Sequence, residues 1–339
     1  MGFIDSLNTR PGTTSFHQLP VGWTPLGELS LPLAVVRGAK PGATVGIISG
    51  VHAAEYNGIV TAVRLSKELD PTKMSGTVLI VPVVNVRAFE TRNPFRNPLD
   101  QVNINRVFPG DPYGSISERM AHVIHSEISL ASDAFFDLHS GDLYEAIPLH
   151  ASVKRVGNAE LDERSYALAK LFDTGLLNTM GVGIDDATET SSDEGTSFAG
   201  LKSGATSHGA ASDAGIPGVL MEAGGAGTVD SDVVKMELEG FENVFRHLDM
   251  LPGEPNRDIA HLDTYGMYIL KSIYGGLFMA EVQPGDHLTQ GQRLGEMWDL
   301  QGNVLAELSA PMKGVVLMMF TTPVRSSGET ILIFGRTDV

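Results

Sequence analysis

The segment ISGVHAAEYNGI, residues 47–58, places His52 and Glu55 three positions apart directly after an apolar run. The run TVGIISG, residues 44–50, predicts a buried strand, and residues 57–70 show the apolar spacing of a helix. Both side chains are therefore expected at the carboxyl end of a strand, where open α/β folds bind ligands. From the pair alone an ordinary helix start is the simpler interpretation, because the helix dipole favours an acid in the first turn.

A third candidate ligand, His139 in FFDLHSG, again follows an apolar strand and precedes a glycine turn. Two histidines and one glutamate at strand ends match the His₂Glu-plus-water set of hydrolytic zinc enzymes. Asp137, two residues earlier and on the same face, could orient a ligand or could be a buried acid bonded to backbone. His122 and His125 lie three apart on a predicted helix, without an acidic ligand at a matching strand end, and are expected to be ordinary histidines.

Glu222 ends the apolar run of VLMEAGG, before two glycines. A carboxylate beside a metal can take a proton from water and pass it to a leaving nitrogen. The alternative is a strand-end acid facing solvent, and the apolar residues before it favour the pocket.

The segment RNPLDQVNINRVFPG, residues 96–110, supplies Arg96, Asn105 and Arg106. Guanidinium groups bind carboxylates bidentately or stabilise an oxyanion. The alternative is a loop of solvated charges, which is the usual interpretation of Arg92 and Arg96 taken alone.

The elements around these residues alternate between strand and helix, which predicts a mostly parallel mixed sheet flanked by helices, an α/β fold. Residues 1–43 form a β-rich N-terminal segment of a catalytic domain expected over 1–256. Residues 257–339 carry short strands with glycine turns, which predict a small all-β domain. The polar stretch 184–215 is expected to be a long loop, either a mobile insertion or part of a pocket.

The composition excludes several classes of protein. A net charge of −17 argues against nucleic acid or an anionic membrane as partner. The chain has no cysteine, so thiol catalysis and Cys-ligated zinc are excluded. No signal peptide or membrane-spanning run is recognisable, and a cytoplasmic protein is expected.

The motifs GVHAAE, VNINRVFPG, DLHSG and MEAGG, in this order, resemble the succinylglutamate desuccinylase/aspartoacylase family of the zinc-carboxypeptidase-like superfamily. The likeness covers roughly residues 40–250, and the C-terminal part resembles the family's small barrel domain of biotinyl/lipoyl-like shape. The resemblance implies hydrolysis of a small N-acyl amino acid by a metal-activated water, with one Zn²⁺ per chain. It leaves the oligomeric state, including a homo-oligomer, open.

The resemblance also implies individual roles. His52, Glu55 and His139 would bind Zn²⁺, and Glu222 would be the general acid/base. Asn105 and Arg106 would bind the substrate carboxylate. Arg96 is expected to polarise the scissile carbonyl, with Arg92 as its competitor.

The turn SGDLYE after His139 departs from aspartoacylase and brings Asp142, with Glu145, near the predicted metal. Acids there could bind a cationic substrate group, so an acetylated diamino acid is the expected variant. A zinc carboxypeptidase and a non-catalytic metal-dependent binding protein are the alternatives. Lys313, in a turn like that of biotin carriers, lacks the full carrier motif and is not expected to carry a cofactor.

Overall fold

The structure is a computed structural model that describes residues 2–184, 190–191, 196–200 and 205–337. Its α-helices are α1 (Phe3–Ser6), α2 (Tyr56–Glu68), α3 (Val86–Thr91), α4 (Ile116–Val123), α5 (Ala159–Ala169), α6 (Ser207–Asp213) and α7 (Ser231–His247). Short 3₁₀ turns occur at Pro71–Lys73 and Ile104–Arg106, and a π-helical turn, Ile124–Ser129, continues α4.

The strands are β1 (Thr13–Thr24), β2 (Gly27–Arg37), β3 (Lys40–Ser49), β4 (Ser75–Val81), β5 (Ala134–His139), β6 (Glu145–Ala146), β7 (His150–Arg155), β8 (Leu176–Gly181), β9 (Thr190–Ser191), β10 (Thr196–Gly200), β11 (Gly218–Glu222), β12 (Leu262–Ser272), β13 (Gly276–Ala280), β14 (His287–Leu288), β15 (Arg293–Trp298), β16 (Val304–Ser309), β17 (Gly314–Phe320), β18 (Val324–Arg325) and β19 (Thr330–Arg336).

One large sheet runs in the order β1-β2-β4-β3-β5-β11-β7-β8-β12-β19-β17-β14. Strands β4, β3, β5 and β11 pair in parallel, as do β7, β8 and β12, whereas β11 and β7 are antiparallel. The N-terminal hairpin β1–β2 adds antiparallel strands at one edge. The predicted mixed, mostly parallel sheet is confirmed.

Both faces of this sheet are covered, because its central strands carry apolar residues on both sides. On one face Phe136 packs with Phe172 and Phe241, whose ring centroids lie 5.2–5.8 Å apart. On the other face Phe135 belongs to a second buried cluster with Met120 and Ile124 of the α4 region. Continuous apolar strands are typical of a sheet buried on both faces.

The C-terminal part of the chain contains a separate four-stranded antiparallel sheet, β16-β15-β13-β18. Its buried residues share one core with residues of β12, β17 and β19 from the large sheet. This agrees with the predicted small all-β part. The large sheet also continues past residue 257, because β12 pairs in parallel with β8 and antiparallel with β19. The division into 1–256 and 257–339 stays a prediction. Lys313 lies exposed in the turn between β16 and β17.

The predicted loop 184–215 falls partly on residues 185–189, 192–195 and 201–204, which lie outside the described residues. The loop prediction was wrong for residues 190–191, 196–200 and 207–213, because they form β9, β10 and α6. Thr206 caps this helix by accepting a hydrogen bond from the Gly209 amide, and six of its seven residues are buried. Among the described residues, no helix is long and apolar enough to cross a membrane.

Candidate active site

The candidate site lies where three neighbouring parallel strands end. Strand β3 ends at Ser49, β5 at His139 and β11 at Glu222. In the sheet register Ser49 lies opposite Leu138, and Glu222 lies directly opposite His139. The loop after β3 therefore meets the ends of β5 and β11 at one edge of the sheet, as expected for a ligand site in an open α/β fold.

His52, Glu55 and His139 converge at this edge. The Nδ1 atom of His52 lies 2.8 Å from Glu55 Oε1, and the Nδ1 atom of His139 lies 2.7 Å from Glu55 Oε2. One ligand atom from each of the three residues falls within 4.8 Å of the others, and all three residues are buried. Burial alone would raise the pKa of Glu55, but the charges and hydrogen bonds of His139 and His52 lower it to about 2.

The outer nitrogens of both histidines face oxygen acceptors. His52 Nε2 lies 3.1 Å from Asn103 Oδ1, and His139 Nε2 lies 3.0 Å from Asp137 Oδ2. An N–H that donates to such an oxygen fixes the tautomer and leaves the opposite nitrogen as a lone-pair donor. Both Nδ1 lone pairs are then aimed at the Glu55 carboxylate. This buried donor set fits a zinc ion, which takes imidazole nitrogen and carboxylate oxygen.

Glu55 stands at the N-cap position of α2, but its side chain makes no capping hydrogen bond. Its carboxylate instead accepts from the Ser140 amide, 3.1 Å away, in addition to facing the two histidines. Glu55 therefore stands at the start of the helix, but its side chain contacts residues of the candidate metal site.

Gly58 allows the first turn of α2 to approach the end of β5. A Cβ atom at this position would lie 2.6 Å from the Leu138 Cβ and 2.8 Å from the Leu138 carbonyl oxygen. Any side chain there would push the helix away from the strand, since interiors are close-packed. The glycine therefore helps to bring Glu55 within reach of His139.

Glu222 extends from the end of β11 beside this group. Its Oε2 atom is buried and has no hydrogen-bond partner among the described residues. Burial raises the pKa of Glu222 well above its usual value; the His139 charge acts against this, and the negative charges of Glu55 and Glu145 add to it. A carboxyl with a raised pKa beside a metal site can accept a proton from water and pass it to a leaving group.

The Asn105–Arg106 pair lies beside His139 in different environments. Asn105 is buried, with its Nδ2 atom 3.4 Å from His139 Nε2 and its Oδ1 atom accepting from the Ser207 amide at 3.1 Å. Arg106 reaches solvent. Desolvation lowers the pKa of the Arg106 guanidinium, while the charges of Glu222 and Glu145 act in the opposite direction. Arg106 is thus an accessible cation in electrostatic contact with the site.

Arg92 and Arg96 are both exposed. Arg92 has a left-handed backbone at the C-cap of α3, and the Arg96 guanidinium donates to the Gln101 carbonyl at 2.9 Å. Among the described residues, neither arginine forms a hydrogen bond or an ion pair with the three candidate ligands. Their role as carbonyl-polarising groups stays a prediction.

The acidic turn after β5 lies beside the candidate ligands. Asp142 is buried, and desolvation raises its pKa. The Asp142 amide lies 3.3 Å from Glu145 Oε2. Burial raises the pKa of Glu145 to about 7, and the charges of Asp142 and Glu55 contribute to this shift.

Sequence reasoning missed three residues that contact the candidate ligands or their partners. Asn103 accepts from His52, the Phe95 ring stacks on His52 with centroids 4.4 Å apart, and Ser207 donates to Asp137. Asn103 precedes Asn105 by two positions, so the Asn-x-Asn spacing could have indicated it. Ser207 comes from a distant polar stretch and left no comparable pattern.

The protein thus has an α/β fold with a buried histidine–glutamate–histidine group at parallel strand ends, a donor set that could hold a metal ion. The chain matches the family described as the succinylglutamate desuccinylase/aspartoacylase catalytic domain over residues 41–248. The protein therefore belongs to the succinylglutamate desuccinylase/aspartoacylase family.

Relatives of known structure or function cover nearly the whole chain. N-alpha-acetyl-L-2,4-diaminobutyric acid deacetylase of Halomonas elongata is 30% identical over 322 residues, which cover 91% of this chain and 86% of the relative. The succinylglutamate desuccinylase/aspartoacylase structure from Rhodobacter sphaeroides has a TM-score of 0.81 at 22% identity, covering 98% of this chain and 99% of that one. The product-bound ectoine utilization protein EutE (DoeB) from Ruegeria pomeroyi has a TM-score of 0.80 at 23% identity, with 97% of each chain covered.

Proposed function

We propose that this protein is a zinc-dependent amidohydrolase that removes the acyl group from a small N-acyl amino acid. The observation that carries the proposal is the convergence of both Nδ1 atoms on Glu55, with Glu222 opposite His139 on the adjoining strand. Family membership supports it, because the matching description names acyl-amino-acid hydrolases.

His52, Glu55 and His139 would hold one zinc ion, which leaves a coordination position for the reaction. When bound, zinc polarises a carbonyl oxygen and lowers the pKa of water. Asn103 and Asp137 keep the two imidazoles in the orientation that this binding needs.

Glu222 is the proposed general acid/base. Its carboxyl receives the proton that the attacking water loses and returns it to the leaving amine nitrogen. The unpartnered Oε2 atom supports this role, because no protein hydrogen bond among the described residues has to break before that atom accepts or donates a proton.

Arg106 is the proposed partner of the substrate carboxylate, since its guanidinium is accessible and lies near Glu222. Asn105 is proposed to complete this contact and to hold the loop, because its Oδ1 atom is already bonded to the Ser207 amide. Arg96 remains the proposed group for the scissile carbonyl, a role that requires its guanidinium to leave the Gln101 carbonyl.

The substrate class proposed is an acetylated diamino acid. Asp142 and Glu145 supply negative charge beside the candidate metal ligands, where a second, cationic amine could bind. The Halomonas relative supports this choice, because its name gives an acetylated diaminobutyrate as substrate. Binding of a cation would also favour the ionised form of Glu145.

The C-terminal part of the chain is proposed to hold this acidic turn in place. Strand β17 pairs with β6, so that Phe320 lies opposite Glu145, and the Thr321 amide donates to the Tyr144 carbonyl at 2.8 Å. The predicted small domain would thus act on substrate choice without carrying a catalytic group.

Metal analysis and a substrate panel test the proposal. We expect bound zinc, and faster hydrolysis of Nα-acetyl-diaminobutyrate than of N-acetylaspartate or N-succinylglutamate. Hydrolysis of dipeptides alone would indicate a carboxypeptidase, and zinc binding without turnover of any acyl amino acid would indicate a binding protein. Asp142→Asn and Glu145→Gln should reduce the preference for the cationic substrate, whereas the exposed Glu239→Gln should not. An unchanged preference in both variants would exclude the diamino acid.

A further inference from the structure

We infer that Ser207, the first residue of α6, is a positioning residue for the metal centre that acts through Asp137 on His139. The inference rests on the metal site of the proposed function. It gives a role to the C-terminal part of the polar stretch 184–215, which contains none of the predicted metal ligands.

The Ser207 hydroxyl donates to Asp137 Oδ2, the same oxygen that lies 3.0 Å from His139 Nε2. Ser207 is 1% exposed and Asp137 is 0% exposed, so water does not compete for this contact. The series of hydrogen bonds from Ser207 through Asp137 therefore ends on the His139 imidazole, whose Nδ1 atom faces Glu55. A carboxylate that accepts from a ligand histidine fixes the tautomer and the ring orientation of that histidine.

The Asp137 carboxylate has few hydrogen-bond partners among the described residues. Its Oδ1 atom is buried and has no hydrogen-bond partner among the described residues. Among the described residues, the Asp137 carboxylate forms hydrogen bonds through Oδ2 with Ser207 and His139. Because a buried carboxylate with unsatisfied oxygens is costly, loss of the serine hydroxyl should weaken the hold of Asp137 on His139.

The neighbouring His208 does not take over the role of Ser207 in stabilising the Asp137 carboxylate. It is buried, and its Nδ1 atom has no hydrogen-bond partner in the described part of the chain. Burial lowers the pKa of His208 to about 4, although the Asp137 charge acts against this shift. His208 is thus neutral near physiological pH and supplies no compensating charge to Asp137.

The backbone at Ser207 is fixed separately from its side chain. Its amide donates to Asn105 Oδ1 at 3.1 Å, and the preceding Ala205 carbonyl accepts from the Phe108 amide at 3.1 Å. Ser207→Ala keeps both backbone contacts and removes only the hydroxyl. The substitution therefore isolates the contact to Asp137.

Ser212 offers a matched control on the same helix. It is also 1% exposed, and its hydroxyl has no hydrogen-bond partner among the described residues. Ser207→Ala and Ser212→Ala remove the same atom from equally buried positions of α6. A general loss of packing would affect both variants, whereas a positioning role would affect only Ser207→Ala.

The test is equilibrium binding of Zn²⁺ to the apoprotein by chelator competition, together with the visible absorption spectrum of the Co²⁺-loaded protein. We expect Ser207→Ala to weaken zinc binding about tenfold and to alter the Co²⁺ spectrum, with Ser212→Ala unchanged. The Ser207→Ala apoprotein should unfold at a lower temperature than the Ser212→Ala apoprotein, because only Ser207 donates a hydrogen bond to a buried carboxylate. In an Asp137→Asn background, Ser207→Ala should have no further effect on zinc binding.

Wild-type zinc affinity in Ser207→Ala, or equal losses in the two serine variants, would overturn the inference and leave the proposed function standing. An additive effect of Ser207→Ala on Asp137→Asn would show that the serine does not act through Asp137. A wild-type protein without zinc affinity would overturn the proposed function itself, which separates the two failures.

Discussion

Glu222 and His139 lie directly opposite each other at the ends of two parallel strands, β11 and β5. Residues paired in this way in neighbouring strands point to the same face of the sheet. A carboxyl whose pKa is raised by burial thus lies beside a histidine whose Nδ1 atom faces Glu55. This relationship connects the fold to the proposed chemistry.

The first prediction concerns Glu222. Glu222→Gln should keep zinc affinity and lower kcat by about 10²- to 10⁴-fold, because it removes a proton-transfer group without removing a ligand. Turnover and metal content measured on the same preparation check this. Glu239→Gln, on the exposed face of α7, is the control. Retained activity in Glu222→Gln would mean that another group transfers the proton.

The second prediction concerns Arg106. Arg106→Ala should raise KM for acyl amino acids by about tenfold or more, since it removes a charged contact to the substrate carboxylate. A substrate amide that lacks the carboxylate should be nearly insensitive to the same change. Arg10→Ala is the control, because Arg10 is exposed and has no proposed part in the reaction. Equal effects on both substrates would contradict the assignment.

The sequence could predict the candidate ligands because each of them follows an apolar strand, and the ends of parallel strands meet at one edge of the sheet. This pattern predicted His52, Glu55, His139 and Glu222. Ser207 could not be predicted, because its contact with Asp137 spans 70 residues and depends on where α6 packs. The same limit applies to the pairing of β6 with β17, since two-residue strands have no recognisable pattern.

The third prediction concerns Gly58. Gly58→Ala should destabilise the protein by about 1–3 kcal/mol and weaken zinc binding, because the added Cβ pushes α2 away from Leu138. Denaturant unfolding of the apoprotein and zinc titration measure the two effects. Val63→Ala alters an exposed position of the same helix and should change neither strongly. Unchanged stability in Gly58→Ala would show that the helix and strand need not approach closely.

The fourth prediction concerns Glu237, which is buried in α7 and accepts from the Thr61 hydroxyl of α2 at 2.5 Å. Burial raises the pKa of Glu237 from 4.5 to about 8, although the Thr61 hydrogen bond acts against this shift. Between these pH values the folded protein keeps a proton that the unfolded chain has lost. The free energy of unfolding should therefore fall as pH rises through this window, by up to about 1.4 kcal/mol per pH unit.

Glu237→Gln should remove this part of the pH dependence and be more stable than wild type at about pH 8. Denaturant unfolding at about pH 5 and about pH 8 compares the two proteins, with Glu239→Gln as an exposed control on the same helix. If the free energies of unfolding of wild type and Glu237→Gln changed with pH in the same way, the raised pKa of Glu237 would be contradicted.

The most direct test of the metal centre is zinc binding to the apoprotein of wild type and His139→Ala. We predict one zinc ion per chain in wild type and an affinity lower by more than about 100-fold in His139→Ala. His125→Ala, on the helical turn after α4, should bind zinc like wild type. No tight zinc binding by wild type, or equal affinity in wild type and His139→Ala, would contradict the proposed function.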